Sequence, residues 1–262
     1  MIIDPWKGSL LSKDNESIAT GGIGNLVVTV IFDNNPFEQG LATEWGFSTV
    51  ISGGEKTILF DTGGSDILLS NMGKLNIRPE SLDVVVLSHK HPDHTGGLMS
   101  LLGRSGNLSV YVPASFGKEL KDRIHSFGVT VVEVGEPVEI CRDVYSTGQI
   151  GTLIKEQSLV IRSEKGVVVI VGCAHPGIVK IVRAAKKVVK GDVLLVMGGF
   201  HLEWSSKSRI KKIISAFERL GVRYVAPTHC SGEKARGMFE DRFGAHYIHA
   251  GPGKTIMVAD LC

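Results

Sequence analysis

The chain has 262 residues, and 43% of them are hydrophobic, which is enough to build one large core. Lys and Arg number 29 against 27 for Asp and Glu, so the net charge of +2 gives no general reason to expect nucleic acid or an anionic membrane as partner. The four cysteines form no CxxC pair, which excludes a thiolate zinc knuckle and a dense disulfide framework (Cys141, Cys173, Cys230 and Cys262).

The first residues, MIIDPWKGSLLSKDNES, lack the basic start and unbroken apolar stretch of a secretion signal. The sequence therefore predicts a cytoplasmic protein. Its longest apolar runs, VVVIVG and VLLVMGG, are far shorter than the ~20 residues that cross a bilayer, so no membrane span is expected.

Short runs rich in β-branched residues recur along the chain and are typical of strands. In order they are LVVTVIF, FSTVIS, TILF, DVVVLS, LSVYV, VTVVEV, SLVIRS, GVVVIVG, DVLLVMGG and VRYVAP. Many are apolar at consecutive positions, which indicates strands that are covered on both faces.

Helical spacing appears between these runs. TGGLMSLLG, SFGKELKDRIHSFG and HPGIVKIVRAAKKVVKG are each predicted to be helical, the second with Leu120, Ile124 and Phe127 on one stripe. In SSKSRIKKIISAFERLG, Ser205 or Ser206 is a candidate N-cap and Gly221 a stop. The lysines and arginines of that helix are interpreted as a solvated outer face.

Interleaved strands and helices in both halves favour two mixed sheets packed face to face and covered outside by helices, an αββα sandwich of the α/β (α+β) class. A single doubly wound parallel sheet is the alternative. Because no linker-like or low-complexity stretch interrupts the chain, residues 1–262 are predicted to form one domain.

The stretch LSHKHPDHTGGL concentrates metal-ligand residues between a buried strand and a Gly-Gly turn. The alternate spacing of His89 and His91 lets both rings face one ion if the backbone stays extended. Pro92 breaks the extension, and Asp93 and His94 then point towards a second position. Nitrogen ligands with one carboxylate suit zinc, and also iron or manganese, better than calcium.

Four residues are too few for two catalytic ions, each of which keeps about three protein ligands and an open position. Three later histidines each follow a buried strand beside glycine or proline, where side chains usually serve a site: His175, His201 and His229. Each of the three, taken alone, could instead be a core histidine. His125 is expected on the surface, while His246 and His249 are expected to be structural.

These motifs resemble a known family. HKHPDH matches the HxHxDH signature of the metallo-β-lactamase fold superfamily, and ILFDTG is similar to its first motif. The combination of WGFS, FDTG, SHKHPDHTGGL, GCAHPGI, GGFHL and PTHCSG is similar to the dihydropterin ribofuranosylaminobenzene-phosphate synthase-like branch. The resemblance covers nearly the whole chain and implies an αββα fold with a two-metal cleft at the edge of the sandwich.

The resemblance also implies roles for individual residues. His89 and His91 would bind the first metal, Asp93 and His94 the second, and His229 would complete the second. Asp61 would anchor the ligand loop without binding a metal.

The chain departs from the wider superfamily in the middle, because no aspartate follows the strand that ends at Gly172. Either His175 replaces the third-motif histidine at the first metal, or Cys173 occupies the bridging position as a thiolate, or both. A structural buried cysteine is the alternative for Cys173.

The function expected from this resemblance is hydrolysis by a hydroxide that two divalent ions activate, with zinc as the expected metal. Asp93 would orient that hydroxide, and His201 would protonate the leaving group or bind a substrate phosphate. A helix starting at Pro176 would turn free N–H groups towards the cleft and favour a small anionic substrate, such as a phosphorylated, pterin-like, ester or lactone compound. Trp45 and Phe47 could stack on a flat ring, although core packing is the simpler explanation.

Two further classes of function remain open. A di-iron redox protein of the same fold usually needs a flavin-bearing partner domain, which these 262 residues do not contain. A metal-loaded binding or sensor protein without turnover is the other. No nucleic-acid or membrane partner is predicted, since neither an RNA-gripping domain nor a basic groove is evident. The oligomeric state is left open.

Overall fold

The computed structural model describes residues 22–262. The prediction of a cytoplasmic protein, which was drawn from the first 17 residues, lies outside this range. Among the described residues, no helix is both long enough and apolar enough to cross a membrane.

The first sheet contains seven strands in the order β13-β1-β2-β3-β4-β5-β6. Strands β3 to β6 run parallel to one another, whereas β13, β1 and β2 are joined in antiparallel fashion. Their bounds are β1 Val27–Asp33, β2 Phe47–Ser52, β3 Ile58–Phe60, β4 Val84–Val86, β5 Ser109–Pro113, β6 Thr130–Val134 and β13 Thr255–Met257.

The second sheet contains six strands in the order β12-β11-β10-β9-β8-β7. Strands β10, β11 and β12 are parallel, and β7 to β10 form an antiparallel meander. Their bounds are β7 Val138–Cys141, β8 Val144–Ser146, β9 Leu159–Ser163, β10 Gly166–Val171, β11 Val193–Gly199 and β12 Tyr224–Thr228.

Helices cover the outer face of each sheet. The helices are α1 Ile67–Lys74, α2 Pro92–Thr95, α3 Leu98–Leu102, α4 Lys118–His125, α5 Ile178–Val188, α6 Lys207–Arg219 and α7 Glu233–Phe243. Residues of α1, α3 and α4 pack on the first sheet, and residues of α5, α6 and α7 pack on the second. A third apolar cluster, with members from both sheets, lies between them.

This arrangement confirms the predicted αββα sandwich, so the alternative of one doubly wound sheet is wrong. The ten predicted strands are all present, and Ser206 caps α6 by accepting a hydrogen bond from the backbone N–H of Arg209. The predicted stripe of α4 is only partly correct. Ile124 is buried, but Phe127 lies beyond the end of the helix and is 42% exposed.

The topology gathers five loops at one edge of the sandwich. They follow the parallel strands β3 and β4 of the first sheet and β10, β11 and β12 of the second. Parallel strands end on the same side of their sheet, so residues far apart in sequence meet there. Every predicted metal ligand lies in a segment that follows one of these strands, and Asp93 and His94 lie on the short helix α2 after β4.

Candidate metal centre

Asp61, at the end of β3, organises the loop that carries the histidine cluster. One of its carboxylate oxygens accepts a hydrogen bond from the backbone N–H of Ser88 at 2.6 Å. The other accepts from the Ser88 hydroxyl and from Nδ1 of His94, both at 2.6 Å. Asp61 is completely buried, so it acts through these neighbours, in line with its predicted anchoring role.

The structure brings His89, His91 and His175 together. Nε2 of His89 lies 3.1 Å from Nδ1 of His91 and 3.2 Å from Nε2 of His175. Three imidazole nitrogens facing one point form a group that could hold one ion. The sequence left open whether His175 replaces the third-motif histidine at the first metal. The structure places His175 beside His89 and His91, the pair assigned to that metal.

A second group contains Asp93, His94, Cys173 and His229, whose ligand atoms all lie within 4.8 Å of one another. A carboxylate oxygen of Asp93 is 3.6 Å from Nε2 of His94 and 3.3 Å from Nε2 of His229. The thiol sulfur of Cys173 is 3.1 Å from Nε2 of His94. Cys173 thus joins the pair assigned to the second metal, while its bridging role stays a prediction.

Hydrogen bonds on the far side of each buried ring leave Nε2 as the free ligand atom. Nδ1 of His94 donates to Asp61, and Nδ1 of His229 donates to the side-chain oxygen of Asn34 at 2.9 Å. The Ser88 hydroxyl gives its own proton to Asp61 and therefore accepts from Nδ1 of His89 at 2.9 Å. This is how proteins fix the tautomer of metal-binding histidines.

The fit to a metal ion rests on one atom in particular. Within the part of the chain that the structure describes, Nε2 of His229 is buried and has no hydrogen-bond partner. Asp93 is near it but not aligned for a hydrogen bond. A buried polar atom without a partner is costly, and coordination to an ion would satisfy it.

Glu156 holds the loop that follows β10. Its carboxylate accepts hydrogen bonds from the backbone N–H groups of Cys173, Ala174 and His175, each at 2.9 Å. These three bonds fix the position of His175, a predicted ligand in the first group, and of Cys173, a predicted ligand in the second. The sequence did not single out Glu156, because a lone glutamate in a polar loop carries no recognisable signal.

A third group lies beside the second and consists of Cys173, His201 and Cys230. The two sulfur atoms are 3.3 Å apart, and both side chains are buried. The ring of His201 is exposed at the rim, with its centroid 4.5 Å from that of His175. Cys230 adjoins the predicted ligand His229, a position that could have drawn attention to it.

Burial sets the charge state of much of the centre. Burial, reinforced by the charges of neighbouring histidines, lowers the pKa of His89, and burial with His201 lowers the pKa of His175 to about 4. Burial alone would raise the pKa of Asp93, but His229 and His94 bring it down to about 2. A neutral imidazole and an ionised carboxylate are the forms that bind metal at neutral pH. Burial alone would lower the pKa of His94, but the carboxylate of Asp61 raises it.

Two buried carboxyl groups have a raised pKa, in contrast to Asp93. Burial raises the pKa of Glu156 to about 7 and that of Asp33 to about 6. Asp33 accepts a hydrogen bond from the backbone N–H of His229 at 3.1 Å, so it supports that loop as Glu156 supports the loop after β10.

Backbone strain concentrates in the same loops. Asp61, Ala174, His201 and His229 have φ values between 45° and 58°, in the left-handed region that residues other than glycine rarely occupy. Each lies within three residues of the end of one of the five converging strands. Such strain clusters at functional sites, where the surrounding structure maintains it.

Other predicted residues fall outside the two main groups. Trp45 is 47% exposed with its ring 4.8 Å from that of His229, whereas Phe47 is completely buried in the core. His246 packs edge-on against Tyr224, and Nε2 of the exposed His249 lies 3.1 Å from a carboxylate oxygen of Glu240. His125 is exposed on α4.

Comparisons with known proteins agree with this geometry. The family model described as the metallo-beta-lactamase superfamily matches residues 46–229. The chain is 30% identical to the 7,8-dihydropterin-6-methyl-4-(beta-D-ribofuranosyl)-aminobenzene-5'-phosphate synthase of Methanocaldococcus jannaschii, over 85% of this chain and 92% of that protein. It is also 27% identical to an uncharacterized protein of the same organism, over 86% and 98% of the two chains.

Among solved structures, the chain is similar to a metal-dependent hydrolase of the beta-lactamase superfamily. The TM-score is 0.76 at 30% identity, covering 90% of this chain and 100% of the other. A metallo-beta-lactamase fold protein of Bacillus subtilis, at 16% identity and a TM-score of 0.68, shares the fold.

Proposed function

Since the chain belongs to the metallo-β-lactamase superfamily, we propose that it is a metal-dependent hydrolase with a dinuclear site for a small, phosphorylated or cyclic anionic substrate. The observation that carries the proposal is the pair of ligand groups at one edge of the sandwich, with the buried Nε2 of His229 lacking a hydrogen-bond partner among the described residues. The first group supplies three histidines, and the second supplies Asp93, His94, His229 and Cys173.

Two divalent ions bound there would make water nucleophilic at neutral pH and polarise a carbonyl or phosphoryl oxygen. We propose zinc as the ion, since imidazole and thiolate ligands favour it over harder cations. Iron and manganese remain the alternatives. A cytoplasmic location is also proposed, because a thiol ligand must stay reduced.

Asp93 is proposed to orient the attacking water. It is ionised and half-buried, and one of its oxygens lies between the Nε2 atoms of His94 and His229. A carboxylate in this position can accept a hydrogen bond from the water and hold its lone pair towards the substrate.

His201 is proposed to protonate the leaving group. Its hydrogen bond with Cys230 raises the pKa of the imidazole, which favours the protonated form that a general acid needs. Its exposed position at the rim leaves room for a departing alcohol or amine.

A cavity beside the histidine loop supports an anionic substrate. It has a volume of about 210 Å³, and its lining includes Lys90, Lys155, Ser115 and Thr152. Lys90 lies between His89 and His91 in the chain, so the cavity adjoins the histidine loop, although no residue of the two main groups lines it. The N-terminus of α5 contributes less to anion binding than the sequence predicted, because this helix begins at Ile178 and not at Pro176.

A condensation reaction is a second candidate, because the Methanocaldococcus jannaschii relative is named as a synthase of a pterin-containing phosphate. The exposed ring of Trp45 beside His229 offers a surface on which a flat heterocycle could stack. Condensation of a dihydropterin with a phosphorylated aminobenzene compound would favour this candidate over hydrolysis.

The test combines metal analysis with activity. Protein purified without added metal is analysed for bound elements and screened for phosphodiesterase, phosphatase and lactonase turnover. We expect at least two zinc ions per chain, one from each main group, with turnover that His89→Ala lowers by more than ~100-fold, since even residues behind a ligand cost 10- to 100-fold. His125→Ala is the matched control, and turnover retained by His89→Ala would refute the mechanism. Two irons without turnover would favour the redox alternative, and bound metal without any turnover would favour the sensor.

A further inference from the structure

We propose that Cys173, Cys230 and His201 form a third, sulfur-rich position that binds a thiophilic divalent ion of the zinc type. The position shares Cys173 with the second group and adds two residues that neither main group uses. It goes beyond the proposed hydrolase activity and does not depend on it. Two thiolates and one imidazole are a soft ligand set, which selects zinc-like ions over magnesium, calcium or manganese.

The sulfur separation fits a shared ion better than a disulfide. A tetrahedral zinc ion at about 2.3 Å from each of two sulfurs holds them about 3.8 Å apart, whereas a disulfide brings them to about 2.05 Å. The observed distance of 3.3 Å between the Cys173 and Cys230 sulfurs is therefore much closer to the first value than to the second. An increase of about 0.5 Å in the sulfur separation would bring it to the value for a shared ion.

The backbone fixes the three ligands relative to one another. The N–H groups of Leu202 and Glu203 both donate to the carbonyl oxygen of Cys230, at 3.1 and 3.4 Å, which ties the His201 loop to the Cys230 loop. Gly199 N–H donates to the carbonyl oxygen of Gly172 at 3.0 Å and so ties β11 to the residue before Cys173. These hydrogen bonds join the three loops to one another, which is the preorganisation that a metal site requires.

Gly199 shows how closely the chain surrounds the sulfur pair. A Cβ atom at this position would lie 2.7 Å from the Cys230 sulfur and 2.4 Å from the Gly172 carbonyl oxygen. A side chain here would displace the sulfur from its place opposite Cys173. The absence of a Cβ therefore leaves the space that Cys230 occupies.

An ion at this position would hold His201 as a ligand. The proton-donor role proposed above for His201 then applies to the protein without that ion. With three protein ligands, the ion keeps one coordination position open for water or another small ligand.

The experiment uses Co²⁺ as a spectroscopic probe, since cobalt bound by thiolate absorbs in the near ultraviolet. Reduced, metal-free protein comprising all 262 residues is titrated with Co²⁺, and the number of bound ions is measured by elemental analysis after gel filtration. We expect three ions per chain in the wild type and two in Cys230→Ser, together with a clear loss of the sulfur absorption. Cys141→Ser removes a buried cysteine outside the three groups and should change neither quantity.

A second variant guards against misfolding of Cys230→Ser. His201→Asn keeps both thiols, and asparagine tolerates the left-handed backbone of this exposed position. It should also bind one ion fewer than the wild type, while circular dichroism confirms the fold. If both variants bind as many ions as the wild type with undiminished sulfur absorption, the third position does not exist.

The result is separable from that of the hydrolase test. His91→Ala should lose the ion of the first group and retain the sulfur absorption. Wild-type protein without turnover that binds one more ion than Cys230→Ser, with sulfur absorption that Cys230→Ser reduces, would preserve the third position and contradict the hydrolase.

Discussion

Single residues determine which nitrogen of each histidine faces the proposed ions. In His89, His94 and His229, Nδ1 is engaged by a neighbouring side chain, so Nε2 is left for the centre. The histidines themselves were predictable from the sequence because they crowd into HKHPDH or follow apolar runs. Their partners Asn34 and Ser88 were not, since an asparagine or serine beside a strand is ordinary in any sequence.

Asp61→Asn tests this control of the tautomer. The amide would keep the size of the side chain but could turn its NH2 group towards Nδ1 of His94 or the Ser88 hydroxyl, each of which now donates to a carboxylate oxygen. We expect the affinity of the second ion to fall by about 10- to 100-fold, as is usual when the partner of a ligating histidine is removed. Competition with a chromophoric chelator measures it.

Asp66→Asn, at an exposed position just before α1, is the control for Asp61→Asn. Asparagine also tolerates the positive φ of residue 61, so the backbone should not change. Equal affinities in Asp61→Asn and the control would show that the tautomer of His94 does not depend on this carboxylate.

At the level of elements, the strands that precede the ligand loops were predictable from their apolar runs. Strands without such a run were not predictable. Strands β7 and β8 form a short hairpin whose turn at Asp143 has a φ of 65°, and charged residues interrupt its pattern. Strand β13 has three residues and is part of the sheet only because it pairs with β1, which lies more than 200 positions earlier in the chain. Such pairing leaves no local trace in the sequence.

The loop after β10 depends on Glu156, and Glu156→Gln tests that dependence. Glutamine offers one acceptor oxygen where the carboxylate offers two, so at least one of the three backbone N–H donors loses its partner. We expect the free energy of unfolding to fall by about 1–3 kcal/mol, the usual cost of a buried unsatisfied group. Urea denaturation measures it.

The exposed Glu164, at the turn between β9 and β10, provides the matched variant Glu164→Gln. It should change stability by less than about 0.5 kcal/mol, as surface substitutions usually do. If Glu156→Gln were as stable as this control and bound metal equally well, the three hydrogen bonds would not be what positions Cys173 and His175.

The loop between β8 and β9 supplies Lys155 to the cavity beside the histidine cluster. Lys155→Gln removes one positive charge from the proposed anion site without touching a metal ligand. We expect KM for a phosphorylated substrate to rise about 5- to 10-fold while kcat changes little. The lost charge would bind the substrate equally well before and during the chemical step, so its removal weakens binding without slowing that step. Steady-state kinetics with phosphorylated and uncharged ester substrates would distinguish a charge effect from a packing effect.

Lys165→Gln, in the turn between β9 and β10, removes the same charge away from the cavity. It should leave KM unchanged for both classes of substrate. A similar rise in KM for the uncharged ester in Lys155→Gln would argue against an anion site.

Over the whole molecule, the sandwich could be predicted because both sheets consist of strongly apolar strands in an order that the family shares. The composition of the centre could be predicted only in part. The sequence left open whether His175, Cys173 or both make up for the missing motif residues, and only the fold shows that these two residues join different groups. The interpretation of residues 1–262 as one domain stays a prediction.

Removal of metal should destabilise the molecule as a unit, because the ligands come from loops of both sheets. His89, Asp93 and His94 follow β4 of the first sheet, while Cys173, His175 and His229 follow strands of the second. An ion present at 100 times its dissociation constant stabilises the folded state by about 2.7 kcal/mol. At about 2–4 °C per kcal/mol, chelation should lower Tm by roughly 5–10 °C for each ion removed.

Calorimetry with and without a chelator measures this shift, and re-addition of zinc should reverse it. In His89→Ala the shift should be smaller by the contribution of the first ion, since that variant has already lost a ligand of the first group. Because the centre joins the two sheets, the chelated protein should still unfold in one transition at the lower temperature. An unchanged Tm after verified removal of the metal would mean that the ions do not connect the two halves of the sandwich.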